Sequence, residues 1–141
     1  MKPSIAYLLA PVLGFMTAQT IKYVLASRKE KNWRQFFRSG SMPSSHTAVV
    51  ISLATVIFVH EGFSSLFSVV AVLTMITIYD ALVARRSIGE QGEALVRLIE
   101  KYPFAKDPLP RVALGHKPRE VAAGALLGLV LGIIVAIFIT N

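Results

Sequence analysis

Four long apolar blocks, at residues 5–26, 47–59, 63–79 and 121–139, alternate with short stretches that gather most of the charge. The fourth, VAAGALLGLVLGIIVAIFI, runs 19 residues without a charge, or about 28 Å of helix at about 1.5 Å per residue. The first is of similar span and is interrupted only by Pro11 and a few small polar groups. The second and third are shorter, and EGFSS (61–65) between them reads as a tight turn closing a helical hairpin. The pattern predicts an all-α membrane bundle of four transmembrane helices in one domain, residues 1–141. A cleaved leader fits poorly, because the first block is long and has no convincing cleavage site.

A different period appears in EQGEALVRLIEKYPF. Leu95, Leu98, Ile99 and Tyr102 recur at helical spacing, with Glu93, Arg97, Glu100 and Lys101 on the other faces. This predicts an amphipathic helix lying at the membrane interface. The basic stretch 28–38 has a related character, with Trp33, Phe36 and Phe37 as headgroup-level anchors.

Threading the helices back and forth brings every unusual polar cluster to one boundary. The first helix ends there with Gln19, Lys22 and Tyr23, and the second begins there at GSMPSSH (40–46). The third ends at Tyr79-Asp80, before Arg85 and Arg86, and the fourth begins at GHKPRE (115–120). Of the 15 Lys and Arg residues, all but Lys2 fall on this side. The positive-inside rule then makes it the cytoplasmic face of an integral, multi-pass protein of a cell or plastid-type inner membrane. A net charge of +7 would also suit a nucleic-acid binder, but apolar residues in long blocks rather than amphipathic repeats speak against that partner. With no cysteine, thiolate metal sites and disulfides are excluded.

The N-terminus of a helix attracts anions through free N–H groups and the positive end of its dipole. Here two helices start at the same face, each with a histidine beside its first turn. Ser44 or Ser45 can cap one; Pro118 suits the first turn of the other, with Glu120 inside that turn. Lys22, Arg85, Arg86, Arg111, Lys117 and Arg119 lie around them. Cations and backbone donors of this kind suit a phosphate, while imidazoles serve attack and departure. Glu120 is one helical turn beyond His116 and can fix its tautomer, which makes His116 the candidate nucleophile. His46 has no such carboxylate and is the candidate general acid. The chemistry needs no metal or other cofactor.

PSSH (43–46) and Arg111-x4-His116-x3-Glu120 resemble the second and third signatures of the type 2 phosphatidic acid phosphatase and vanadium haloperoxidase superfamily. GSMPSSH, YDALVARRSIGEQ and LGHKPREVAAGALLG are similar to its small divergent branch of bacterial and plastid membrane proteins, in that branch's motif order. The resemblance implies a phosphatase with a histidine nucleophile at His116 and a histidine acid at His46. Departures are visible. Ser45 stands where the second signature usually has glycine, and the third has four residues instead of five before His116, with Glu120 in place of Asp. Lys22 with Arg28 is one residue short of the first signature and lacks its proline, so Lys22 with Arg85 or Arg86 is the expected phosphate-binding set. Ser41, Val83, Gly92 and Val96 replace the branch's expected glycine, glycine, alanine and asparagine.

The expected function is a metal-independent lipid phosphate phosphatase acting on phosphatidylglycerophosphate or phosphatidic acid. Polyprenyl diphosphate is an alternative substrate, and a binding or transport-related protein that no longer turns over is an alternative function. A divalent-metal site built from His46, His116, Asp80 and Glu120 is a third reading, opposed by the surrounding cations. Asp80 is expected to orient Arg85, Arg86 or Lys22, and Ser87, Gly89 and Gln91 to form a turn facing phosphate. Gly124, Gly128 and Gly132 recur every four residues and could pack on a neighbouring helix or mark a homodimer face. His60, beside Glu61 at the far end of its helix, is expected to be merely interfacial.

Overall fold

The computed structural model describes residues 3–26, 42–101 and 115–140. All described elements are helical: α1 (Pro3–Leu25), α2 (Ser45–Glu61), α3 (Ser65–Tyr79), a π-helical segment (Asp80–Ala84), α4 (Arg85–Glu100) and α5 (Pro118–Thr140). Arg28, Trp33, Phe36, Phe37, Ser41, Tyr102 and Arg111 lie outside the described residues.

α2 is the central helix, with α1, α3 and α5 packed on it. α1 meets it along Ala6, Ala10, Gly14, Ala18 and Lys22, a buried stripe of mostly small residues at four-residue spacing. A Cβ on Gly14 would lie 2.9 Å from Ser52 Oγ, so the two backbones come close. α5 uses its glycines in the same way. A side chain at Gly124 would strike the Ser44 carbonyl, one at Gly128 the Ala48 carbonyl, and one at Gly132 the Thr55 side chain. The glycine stripe is therefore occupied by α2 within the chain and does not supply the dimer face considered above.

The apolar core lies away from the polar boundary. It joins Ala6 and Ala10 of α1, Val56 and Ile57 of α2, Val70 of α3, and Val135 and Ala136 of α5. The 61–65 turn forms as expected: Gly62 takes φ +63°, and Ser64 caps α3 by accepting the Phe67 N–H at 3.1 Å.

The runs 4–25, 65–100 and 118–138 are long and apolar enough to cross a membrane. α2 is apolar but has only 17 residues. Outward-facing Val69, Val72, Met75 and Ile76 of α3 reverse the pattern of a water-soluble core. The expected break after Tyr79-Asp80 does not occur. α3, the π segment and α4 form one continuous helical run, because polarity changes there with no proline to end the helix. Ser87, Gly89 and Gln91 consequently sit inside α4, not in a turn, and Gly89 is buried.

Candidate active site

Two helix N-termini are tied directly together. Ser44 precedes α2 and donates its backbone N–H to the Glu120 carbonyl in the first turn of α5 at 2.9 Å. Its hydroxyl, fully buried, accepts the Thr47 N–H at 3.4 Å and the Thr47 hydroxyl at 2.9 Å. Ser44 is thus the cap of α2, and Ser45 faces the site. Lys22, 8% exposed near the end of α1, donates from Nζ to Ser45 Oγ at 3.3 Å. Among the described residues no carboxylate lies within ion-pair distance of this ammonium, although Glu120 is near enough to act on it through space. A buried cation with a neutral hydroxyl partner is costly unless an anion completes it.

His116 is 4% exposed, and its Nδ1 lies 2.8 Å from Glu120 Oε2. A carboxylate only accepts, so Nδ1 carries the proton, and in the neutral ring the lone pair is then on Nε2. The same carboxylate oxygen accepts the Lys117 N–H at 3.1 Å, which holds it in place at the start of α5.

The π segment explains how His116 is held from the other side. In an α-helix the Arg85 N–H would bond to Ala81. Here it bonds to Asp80 instead, and the Ala81 carbonyl accepts the His116 N–H at 3.2 Å. Gly115 makes this approach possible, since a Cβ there would collide with the Arg86 backbone nitrogen. The one-residue register shift also sets Asp80 Oδ2 2.6 Å from Arg85 Nε. Asp80 therefore orients Arg85. Arg86 instead turns outward and pairs with Glu90 at 3.0 Å.

His46 is exposed at the first turn of α2 and lies within electrostatic reach of Arg85, His116, Lys22 and Asp80. The structure thus brings together Lys22, Ser45, His46, Asp80, Arg85, His116 and Glu120, with buried Gln19 one turn before Lys22 on α1. Lys117 and Arg119 face outward. The four candidate metal ligands do not form a set: His116 pairs with Glu120, Asp80 with Arg85, and no described group of three or more such side chains is placed to share an ion. Sequence reasoning missed Ala81 and Gly115, whose contributions are a backbone carbonyl and a missing side chain. At the far end of the bundle, the His60 ring lies tilted against Tyr7, centroids 6.0 Å apart, and the Tyr7 hydroxyl donates to Glu61 at 2.7 Å.

The family model described as the Divergent PAP2 family matches residues 4–131. The "Uncharacterized membrane protein YuiD" of Bacillus subtilis (strain 168) is similar, with 36% identity over 150 aligned residues, 93% of this chain and 94% of the relative. No solved structure matches.

Proposed function

This chain belongs to the Divergent PAP2 family, and on that premise we propose that it is a lipid phosphate phosphatase embedded in the membrane by four crossing helices. The observation that carries the reading is the buried His116, fixed through Nδ1 by Glu120, beside a buried Lys22 that has no close carboxylate among the described residues.

In the first step the Nε2 lone pair of His116 forms an N–P bond while the P–O bond to the lipid alcohol breaks. His46 gives its proton to that departing oxygen. Glu120 stabilises the imidazolium that forms, and Lys22, Arg85 and backbone donors at the two helix starts hold the phosphoryl oxygens. Water then attacks the phosphohistidine. The N–P bond breaks, its electron pair returns to Nε2, and the now neutral His46 takes a proton from the water. Phosphate leaves with both histidines restored.

A substrate whose tails stay in the bilayer suits so short a chain, which then need only present charge at headgroup depth. With the active face in the cytoplasm, phosphatidylglycerophosphate is the preferred substrate and phosphatidic acid the next. The test is phosphate release from both lipids by detergent-purified protein in excess chelator. The expected result is turnover that survives chelation and falls at least about 10²-fold in His46→Ala and about 10³-fold in His116→Ala. Equal lipid binding by all three proteins, with no phosphate released by any, would replace the enzyme with a lipid-phosphate receptor.

A further inference from the structure

The three neighbours of α2 divide its surface unequally. Ser45 and Ser52 meet α1, Ser44 and Ala48 meet α5, and the Val50 carbonyl accepts the Thr74 hydroxyl of α3 at 3.5 Å. At about 100° per residue, His46, Val49 and Leu53 share a stripe between the α1-facing and α3-facing positions. α1 and α3 both pack on α2 but share no extended interface with each other among the described residues. That stripe is only partly covered: His46 is exposed, and Val49 and Leu53 are half-buried, Leu53 with its inner side against the apolar core. The opposite flank of α2, between α3 and α5, is closed at the polar boundary. Thr47 is fully buried there, and Ala81 of the π segment is bonded to His116.

We infer that His46, Val49 and Leu53 form the floor of a groove between α1 and α3 that takes one hydrocarbon chain of a lipid phosphate whose headgroup occupies the site. The inference rests on the lipid-phosphate reading of that site and adds where the tail goes. Three features favour this occupant over bulk lipid or a second copy of the chain. The groove begins at His46, within electrostatic reach of Arg85 and of the buried Lys22, which has no close carboxylate among the described residues. Below His46 its floor is purely apolar. The seven residue steps from His46 to Leu53 run about 10 Å inward along the helix, from headgroup depth towards the acyl region. Val49 and Leu53 are therefore specificity-determining positions that touch the tail and not the phosphate.

The test uses the whole purified protein and two readouts. In the first, phosphate release from dioleoyl phosphatidic acid is compared with release from p-nitrophenyl phosphate for Leu53→Trp, with Leu126→Trp on the outward face of α5 as control. The expected result is a fall of about tenfold or more in kcat/KM for the lipid, less than twofold for the soluble ester, and no change in the control. An equal fall on both substrates, or none on either, overturns the groove. The second readout needs no turnover: phosphatidic acid carrying a mid-chain diazirine is photolysed on the protein and the labelled residues are mapped. Label on residues 49–57 that Leu53→Trp removes supports the groove, even if no phosphate is released from any substrate and the catalytic reading fails. Label confined to the outer face of α3, at Val69, Val72, Met75 and Ile76, overturns it even if phosphate is released.

Discussion

Glu120 does two jobs with one oxygen: Oε2 accepts both His116 Nδ1–H and the Lys117 N–H. Its replacement by glutamine separates charge from shape. Glu120→Gln retains a carbonyl oxygen that can accept from Nδ1 but removes the negative charge to which the proposed mechanism assigns stabilisation of the imidazolium. The expected outcome is a loss of about 10²-fold in kcat with KM changed by less than about threefold, read from steady-state kinetics on phosphatidic acid. An unchanged kcat would show that the carboxylate charge is not used. This dyad was legible in the sequence, because four-residue spacing at a helix start fixes two side chains on one face whatever the rest of the fold does. Lys22 with Ser45 was legible only as two residues at one boundary. Ser44 and Ser45 could not be told apart as cap and site residue, since either hydroxyl satisfies the same turn. Arg86 looked equivalent to Arg85 until the helix direction separated them, one towards Asp80 and the other towards Glu90.

At the scale of elements, the π segment couples the membrane-facing α3 to the site. It was not legible, because a register shift in backbone hydrogen bonds leaves no pattern in side-chain polarity. The rise in charge after Tyr79 looked like a helix end, yet charge alone does not stop a helix that has no proline. π-bulges recur at functional sites because they redirect one carbonyl without ending the helix. Deleting Val83, an exposed residue of the segment, isolates that effect. The shortened run can close as a regular α-helix in which Asp80 still receives Arg85 and the Ala81 carbonyl returns to the helix ladder. His116 then loses its backbone anchor while α4 keeps its direction. The expected outcome is a fall in kcat approaching about 10²-fold, the scale of an ångström-sized misplacement, with the thermal unfolding midpoint nearly unchanged. Full activity in the deletion variant would remove the π segment from the account.

For the molecule as a whole, the division of labour along the bundle is plain. The end holding Ala6, Ile57, Val70 and Val135 is an apolar core, and the opposite end is a polar site assembled from the termini of all three helices packed around or beside α2. The hydrophobic blocks revealed this segregation because membrane helices must be apolar along most of their length. Their order also set which ends met. What the blocks could not reveal was the packing between them: α2 at the centre, small-residue stripes from α1 and α5 closing on it, and α3 standing apart from α1. Those contacts depend on which face of each apolar helix turns inward, and a helix that is apolar all round carries little periodicity to say so. The proposed chemistry turns on attack of His116 on phosphorus. It is tested most directly by rapid acid-free quenching of the protein with phosphatidic acid labelled with ³²P in its phosphate, followed by mapping of any covalent label. The expected result is an acid-labile, base-stable phosphoryl group on His116 that His116→Ala lacks and that accumulates in His46→Ala if hydrolysis becomes the slower step. Phosphate release by His116→Ala at the rate of the unaltered protein would contradict it.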